Sequence, residues 1–197
     1  MFFKNRIFWF FLLLVLVQWY VPGNMILEQE DILKTGKAFK FKTAPIDPAD
    51  PFRGRYVALG FDQNQFETTS DPDWDYEHDN DRDIFVHLGV DSDGFAKVID
   101  VSREKPSSSI DYVKAKCSAF YKGEKDESIL INLDYPFNRF YMEEFKAPAA
   151  EKIYREAQVD SNQVAFALVK IKDGSAVIEQ VMVDNMPIGD WVAKQGH

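Results

Sequence analysis

Residues Ile7 to Val21 read IFWFFLLLVLVQWYV, fifteen residues of which only Gln18 is polar. A core helix of a soluble domain would show polar residues on a helical period, and none interrupt this run in that way. The segment is therefore expected either to span a membrane or to be removed as a signal peptide. Lys4 and Arg6 precede it, which favours keeping that end in the cytoplasm. Trp19 and Tyr20 suit the opposite interface, and Pro22 closes the run. Fifteen residues fall short of the roughly 20 a full crossing needs. Phe2 and Phe3 on one side and Met25-Ile26-Leu27 on the other make up the length. A cleaved signal would want an A-x-A-like site, and Val21-Pro22-Gly23 is a poor substitute. An uncleaved signal anchor is the expectation, and either reading puts the rest of the chain outside the cytoplasm.

Beyond Lys4 and Arg6 the chain carries 21 basic against 32 acidic residues. So acidic a domain repels nucleic acid and anionic lipid alike, so membrane contact is expected through the apolar helix alone. Hydrophobic residues at 46% and aromatics at 15% are enough to build a core, which argues against disorder. Cys117 is the one cysteine, which excludes an intrachain disulfide and a multi-cysteine metal site. It is expected as a small buried residue, since His78, His87 and His197 stand in no cysteine-protease context.

Asn24 to Gly36 reads as a helix capped by Asn24 and stopped by Gly36, resuming after a break at Pro22-Gly23. Ala38 to Thr43 alternates apolar and basic residues, as a half-buried strand does. Pro45, Pro48 and Pro51 then impose an extended approach, and Arg55 to Phe61 resumes as a strand. Two hairpins follow. Ile84 to Val101 turns at Asp91-Ser92-Asp93-Gly94, and Val164 to Val183 turns at Asp173-Gly174. Glycine takes positive φ cheaply, so Asp-Gly between alternating runs is a strong hairpin signal. Ala147 to Gln158 reads as a helix with Pro148 in its first turn. Pro51-Phe52 and Pro136-Phe137, and likewise Tyr56 and Tyr141, share one offset, which hints at two related halves. Each half would be a Pro-Phe strand motif followed by a glycine-turned hairpin.

The segment from Pro45 to Phe61 carries Asp47, Pro48, Asp50, Arg53, Gly54, Tyr56 and Leu59 in an order that resembles the signature of the GDYxxLxY family, a bacterial group. Arg55 stands where that signature has an acidic residue, and Phe61 replaces its last tyrosine. A second element, Leu133 to Glu144 with Arg139, Tyr141 and Glu144, resembles the family as well. The resemblance implies no established activity. It does imply a bacterial setting and association with a multi-pass membrane protein; with the N-terminal run read above, the expectation is a bacterial inner-membrane, single-pass protein with its C-terminal domain periplasmic.

Candidate chemistry is sparse. Asp71, Asp73 and Asp75 alternate as calcium ligands can, but Tyr76 occupies the position that needs glycine, and no glutamate closes the loop. The stretch from Asp71 to Asp83 is read as a solvated acidic loop, with a weak divalent cation site as the alternative. No metal centre and no cofactor are expected. Asp47, Asp50, Glu143 and Glu144 are better explained as turn and surface carboxylates than as an acid–base pair, and no catalytic residue is assigned. A serine–lysine peptidase would need a serine near the membrane, and the first one after the anchor is Ser70. Arg53 and Arg139 are either recognition groups for a carboxylate or phosphate, or partners of Asp47, Asp50 or Glu144. The motif residues with a binding role in view are Asp47, Asp50, Arg53, Gly54, Tyr56, Leu59, Arg139, Tyr141 and Glu144.

The sequence thus predicts a mainly β (α+β) protein. Residues 1–23 form the anchor, 24–43 a helix and first strand leading to the domain, and 44–197 a β-rich domain outside the cytoplasm. The function expected is a non-enzymatic accessory or interaction protein of a multi-pass membrane partner. A small-ligand or divalent-ion sensor, and more remotely an anchored hydrolase, are the alternatives.

Overall fold

The computed structural model describes residues 2–44, 56–69, 81–107, 109–122, 128–159 and 163–195. The apolar run forms the first part of one helix, α1 (Phe2–Thr35), 34 residues long. The expected break at Pro22-Gly23 does not occur, and Asn24 lies inside the helix rather than capping a second one. Proline removes a single i→i−4 hydrogen bond, and helices long and apolar enough to cross a membrane tolerate proline in their interior. Gly36 does stop it. Its N–H donates to the Ile32 carbonyl at 2.8 Å. A Cβ there would lie 2.4 Å from that carbonyl oxygen and 3.2 Å from the backbone of Ile171, so only glycine lets the chain pass this close.

The chain then builds β1 (Lys37–Ala44), β2 (Tyr56–Ala58), β3 (Gly60–Phe61), β4 (Gln65–Thr69), β5 (Asp83–Val90) and β6 (Ala96–Ser102). It continues as β7 (Tyr112–Lys122), β8 (Ser128–Asp134), β9 (Arg139–Tyr141) and α2 (Ala147–Val159). The last elements are β10 (Ala165–Lys172), β11 (Ser175–Val183), β12 (Met186–Pro187) and α3 (Ile188–Gln195). This is the α+β class read from the sequence. One five-stranded sheet runs β12-β11-β10-β1-β3, a second runs β4-β8-β7-β5-β6, and β2 and β9 form a separate two-stranded ribbon.

β1, which the sequence places in the segment leading to the domain, sits inside the first sheet between β10 and β3. Its alternation explains this: Phe39, Phe41 and Thr43 point inward and the lysines outward. Both glycine-turned hairpins form. The segment read as one strand up to Phe61 is instead split at Leu59, whose N–H donates to Asn138 O at 2.9 Å. The core is one cluster with an aromatic centre. Phe41 contacts Phe61, Tyr135 and Phe137 with ring centroids 5.6, 5.6 and 5.0 Å apart. The Tyr135 hydroxyl donates to Gln63 O at 2.6 Å, and burial pushes its acidity well below that of an ordinary phenol. Cys117 is fully buried in the same core.

The end of α1 is fastened to the first sheet. Ile32 is buried, and Lys172 Nζ donates to Asp31 Oδ2 at 2.6 Å and to Thr35 Oγ1 at 2.9 Å. Only Gly36 separates the helix from β1, so helix and domain are joined without a linker.

Candidate functional site

The two sequence motifs meet. β2 and β9 pair antiparallel with Tyr56 opposite Tyr141, Val57 opposite Phe140 and Ala58 opposite Arg139. Alternation along these short strands sorts their side chains. Val57 is fully buried and Leu59 nearly so, and both belong to the core. Tyr56, Tyr141 and Arg139 share the other face. The two tyrosine rings lie 5.6 Å apart, and the Arg139 guanidinium sits 5.2 Å from the centre of the Tyr56 ring. Tyr141 is 65% exposed. Four residues on, Phe145 is 78% exposed, with Lys146 Nζ 5.5 Å from its ring centre. One exposed aromatic alone is ordinary on a protein surface; what stands out here is Tyr56, Tyr141 and Arg139 packed together on one face. The motif thus has an inner half that holds the ribbon to the core and an outer half that presents aromatics and an arginine.

A family model described as GDYXXLXY protein matches residues 18–181. The chain belongs to that family. No curated protein matches it, and no solved structure does. Of the residues that carry the GDYXXLXY likeness, Asp47, Asp50, Arg53 and Gly54 lie outside the described residues. Leu59 is a packing residue rather than a surface one. Phe61, where the signature has tyrosine, is buried among Phe41, Tyr135 and Phe137, where a hydroxyl would need a partner. Arg139 stacks on Tyr56, and Glu144 is exposed close by in sequence. Phe145 was not singled out from the sequence. The available signal was a lone aromatic inside the charged run Glu143-Glu144-Phe145-Lys146, where no core periodicity accounts for it.

A second concave feature lies elsewhere. A groove of about 490 Å³ runs between β7, the Tyr135-Pro136 corner and the β10–β11 turn at Gly174 to Ala176. It holds Lys114, Lys116, Asp83 and Asp134, and none of the ribbon residues. Lys116 lies opposite Asp83 on one neighbouring strand and Asp134 on the other. Its Nζ is 3.0 Å from Asp81 Oδ1, and that hydrogen bond holds its pKa above the usual lysine value. The acidic stretch before Asp81, with Asp71, Asp73 and Asp75, lies outside the described residues. Among the described residues no group of three metal-ligating side chains converges.

One serine–histidine–aspartate trio does form on the outer face of β5 and β6. His87 Nε2 is 2.9 Å from Ser102 Oγ, and His87 Nδ1 is 3.7 Å from Asp100 Oδ2. Ser102 Oγ donates to Glu104 O at 2.8 Å, so its hydrogen is already committed. The histidine then donates to the serine rather than accepting from it, and the aspartate is beyond hydrogen-bond reach. That is the reverse of an activated nucleophile. The trio reads as a cross-strand polar cluster.

Proposed function

We propose that this protein is a membrane-anchored accessory protein whose domain lies outside the cytoplasm and docks on a membrane-protein partner through the β2–β9 ribbon. The observation that carries the reading is the outward face of Tyr56, Arg139 and Tyr141, with the exposed Phe145 four residues further along the chain. Aromatic and arginine side chains are what anchor protein interfaces, and they gain most when a partner covers them. The anchor is α1, whose candidate crossing segment is long and apolar enough and makes no burying contact within the chain. Lys4 and Arg6 before the apolar run support an N-terminus in the cytoplasm. The bacterial inner membrane with a periplasmic domain is the corresponding location.

Two experiments test this. A C-terminal alkaline phosphatase fusion is expected to be active and retained in membranes. An inactive but membrane-bound fusion reverses the orientation, and a mature N-terminus near Asn24 replaces the anchor with a cleaved signal. For the ribbon, a tagged full-length Tyr141→Ala/Phe145→Ser chain is expected to fold as the wild type while losing the protein that co-purifies from detergent-solubilised membranes. Unchanged co-purification removes the ribbon from consideration. The groove beside Lys114 supports a second reading, binding of a small ligand with carboxylate and ammonium groups that match its paired lysines and aspartates. Lys114→Ala would then abolish ligand-induced thermal stabilisation and leave co-purification intact.

A further inference from the structure

One polar side chain, Gln18, interrupts the apolar run Ile7 to Val21 of α1. Ile7 to Leu27 is the stretch free of charged residues, and Gln18 lies one residue from its midpoint, with Asn24 nearer its end. Twenty-one residues at 1.5 Å rise match a hydrocarbon core of about 30 Å, so Gln18 falls near its centre. The crossing segment is not buried by the rest of the chain, and among the described residues nothing bonds the Gln18 carboxamide. Four residues later stands Pro22, inside the helix. Proline has no N–H, so the Gln18 carbonyl loses its α-helical donor. A carboxamide unpaired at mid-bilayer is costly, because lipid supplies no partner.

We infer that α1 pairs with the α1 of a second copy of this chain, in parallel, through Gln18. This rests on the reading that α1 spans the membrane. A carboxamide is both donor and acceptor, so two Gln18 side chains related by a two-fold axis satisfy each other reciprocally. A parallel second copy also delivers its glutamine at the matching depth without further requirement. The flanking pattern fits. Phe11, Leu14, Gln18, Val21 and Met25 fall at alternating spacings of three and four, the seam of a helix pair with one polar position. The four apolar members of that seam are each more than half exposed within the single chain. In soluble helix pairs one buried amide fixes parallel register in this way, and interhelical amide bonds act likewise in lipid.

The test is energy transfer between donor- and acceptor-tagged full-length chains reconstituted in phosphatidylcholine vesicles over a range of protein-to-lipid ratios. Wild type is expected to show transfer above random mixing. Gln18→Leu should need about tenfold higher density for the same transfer. Gln18→Asn should keep much of it, and Leu16→Ala, on the opposite face, should change nothing. Wild-type transfer no better than random mixing, or Gln18→Leu equal to wild type, overturns the pairing. Extraction of the same chains with alkaline carbonate separates the two levels. A chain that leaves the membrane defeats the spanning reading and the pairing with it. A chain that stays but is monomeric defeats the pairing alone.

Discussion

β11-β10-β1 and β6-β5-β7 are the same three-stranded arrangement made twice. In each, a glycine-turned hairpin pairs through its first strand with a strand from the other half of the sequence. His87 and Leu168 each stand just before a register shift, and Ile99 and Glu179 are the extra residues opposite. His87 faces Tyr112 and Leu168 faces Lys40. One diagonal away the contacts correspond too: Phe85 packs on Tyr112 with centroids 5.7 Å apart, and Lys40 lies 5.6 Å from the Phe166 ring. The β2–β9 ribbon joins the halves with Tyr56 opposite Tyr141, the register expected about a local two-fold axis. The differences are in the load each copy carries. The β10–β11 copy holds α1 through Asp31 and Lys172 and is covered by α2 and α3. The β5–β6 copy leaves its outer face to Lys114, Lys116 and the groove. A repeated scaffold lets one copy take the anchoring and frees the other.

The largest expected contrast comes from Phe41 and Val113, which occupy corresponding inward positions on β1 and β7. Phe41 is 1% exposed and touches three other rings. Phe41→Ala should cost about 3–5 kcal/mol, and Val113→Ala about 2. Urea titrations of the full chain in detergent would read both. Equal costs would mean that the aromatic centre does not distinguish the two copies.

The turns should differ next. Gly174 has φ +86° and Asp173 φ +51°, a two-residue hairpin turn, and a Cβ on Gly174 would lie 2.5 Å from the Tyr112 ring. Gly94 has φ +85° with open space around it. There Asp91 Oδ1 accepts from the N–H groups of Asp93 and Phe95 at 2.9 and 2.8 Å, which closes a longer loop. Gly94→Ala should cost about 1 kcal/mol for backbone strain alone. Gly174→Ala should cost about 2–3 kcal/mol, because Tyr112 must also move. In a Tyr112→Ala background, Gly174→Ala should cost only about as much as Gly94→Ala does, which a double-mutant cycle reads. If it does not, the β10–β11 turn is not braced by β7.

Alkaline pH should act on the side covered by helices. Burial raises the Tyr154 pKa to about 12, against about 10 in an unfolded chain. Between these values the unfolded state loses its proton while the folded state keeps it, so stability falls as pH rises from 10 to 12. The loss from Tyr154 is on the order of 2 kcal/mol, and because buried Tyr135 is also held protonated and adds its own loss, Tyr154→Phe should make the curve shallower in that range without abolishing its fall if melting is followed against pH.

What was legible in the sequence follows from how local the signal is. The hairpins at Gly94 and Gly174, α2 and the stop at Gly36 are written in turn chemistry and period. The pairing of Tyr56 with Tyr141 was reachable because equivalent motifs mark it. β7 and β8 carry no Asp-Gly turn to mark them: β7 pairs β5 some thirty residues away, and β8 pairs β4 some sixty residues away. The continuity of α1 through Pro22 is not written locally, since proline is a helix breaker in water and is tolerated in a long apolar helix. The position of β1 inside the first sheet depends on β10, more than a hundred residues away. For the site, the exposure of Tyr141 could not be read from a motif whose neighbours Val57 and Leu59 are core, since a one-residue change of strand phase exchanges the two faces.

The smallest effect expected is at the join between the copies. Arg139 is exposed and lies over Tyr56, a contact worth about 0.5–1 kcal/mol at a surface. Arg139→Ala should therefore lower stability by under about 1 kcal/mol, and a cycle with Tyr56→Leu should show coupling of that size. A cost of about 3–5 kcal/mol would instead mark a buried ion pair that holds the ribbon together, and the arginine would be structural. With stability nearly unchanged, loss of the co-purifying partner in Arg139→Ala would place the guanidinium in the interface. If binding also persists, the ribbon joins the two copies without presenting a surface to anything else, and the partner should be sought on the β5–β6 side.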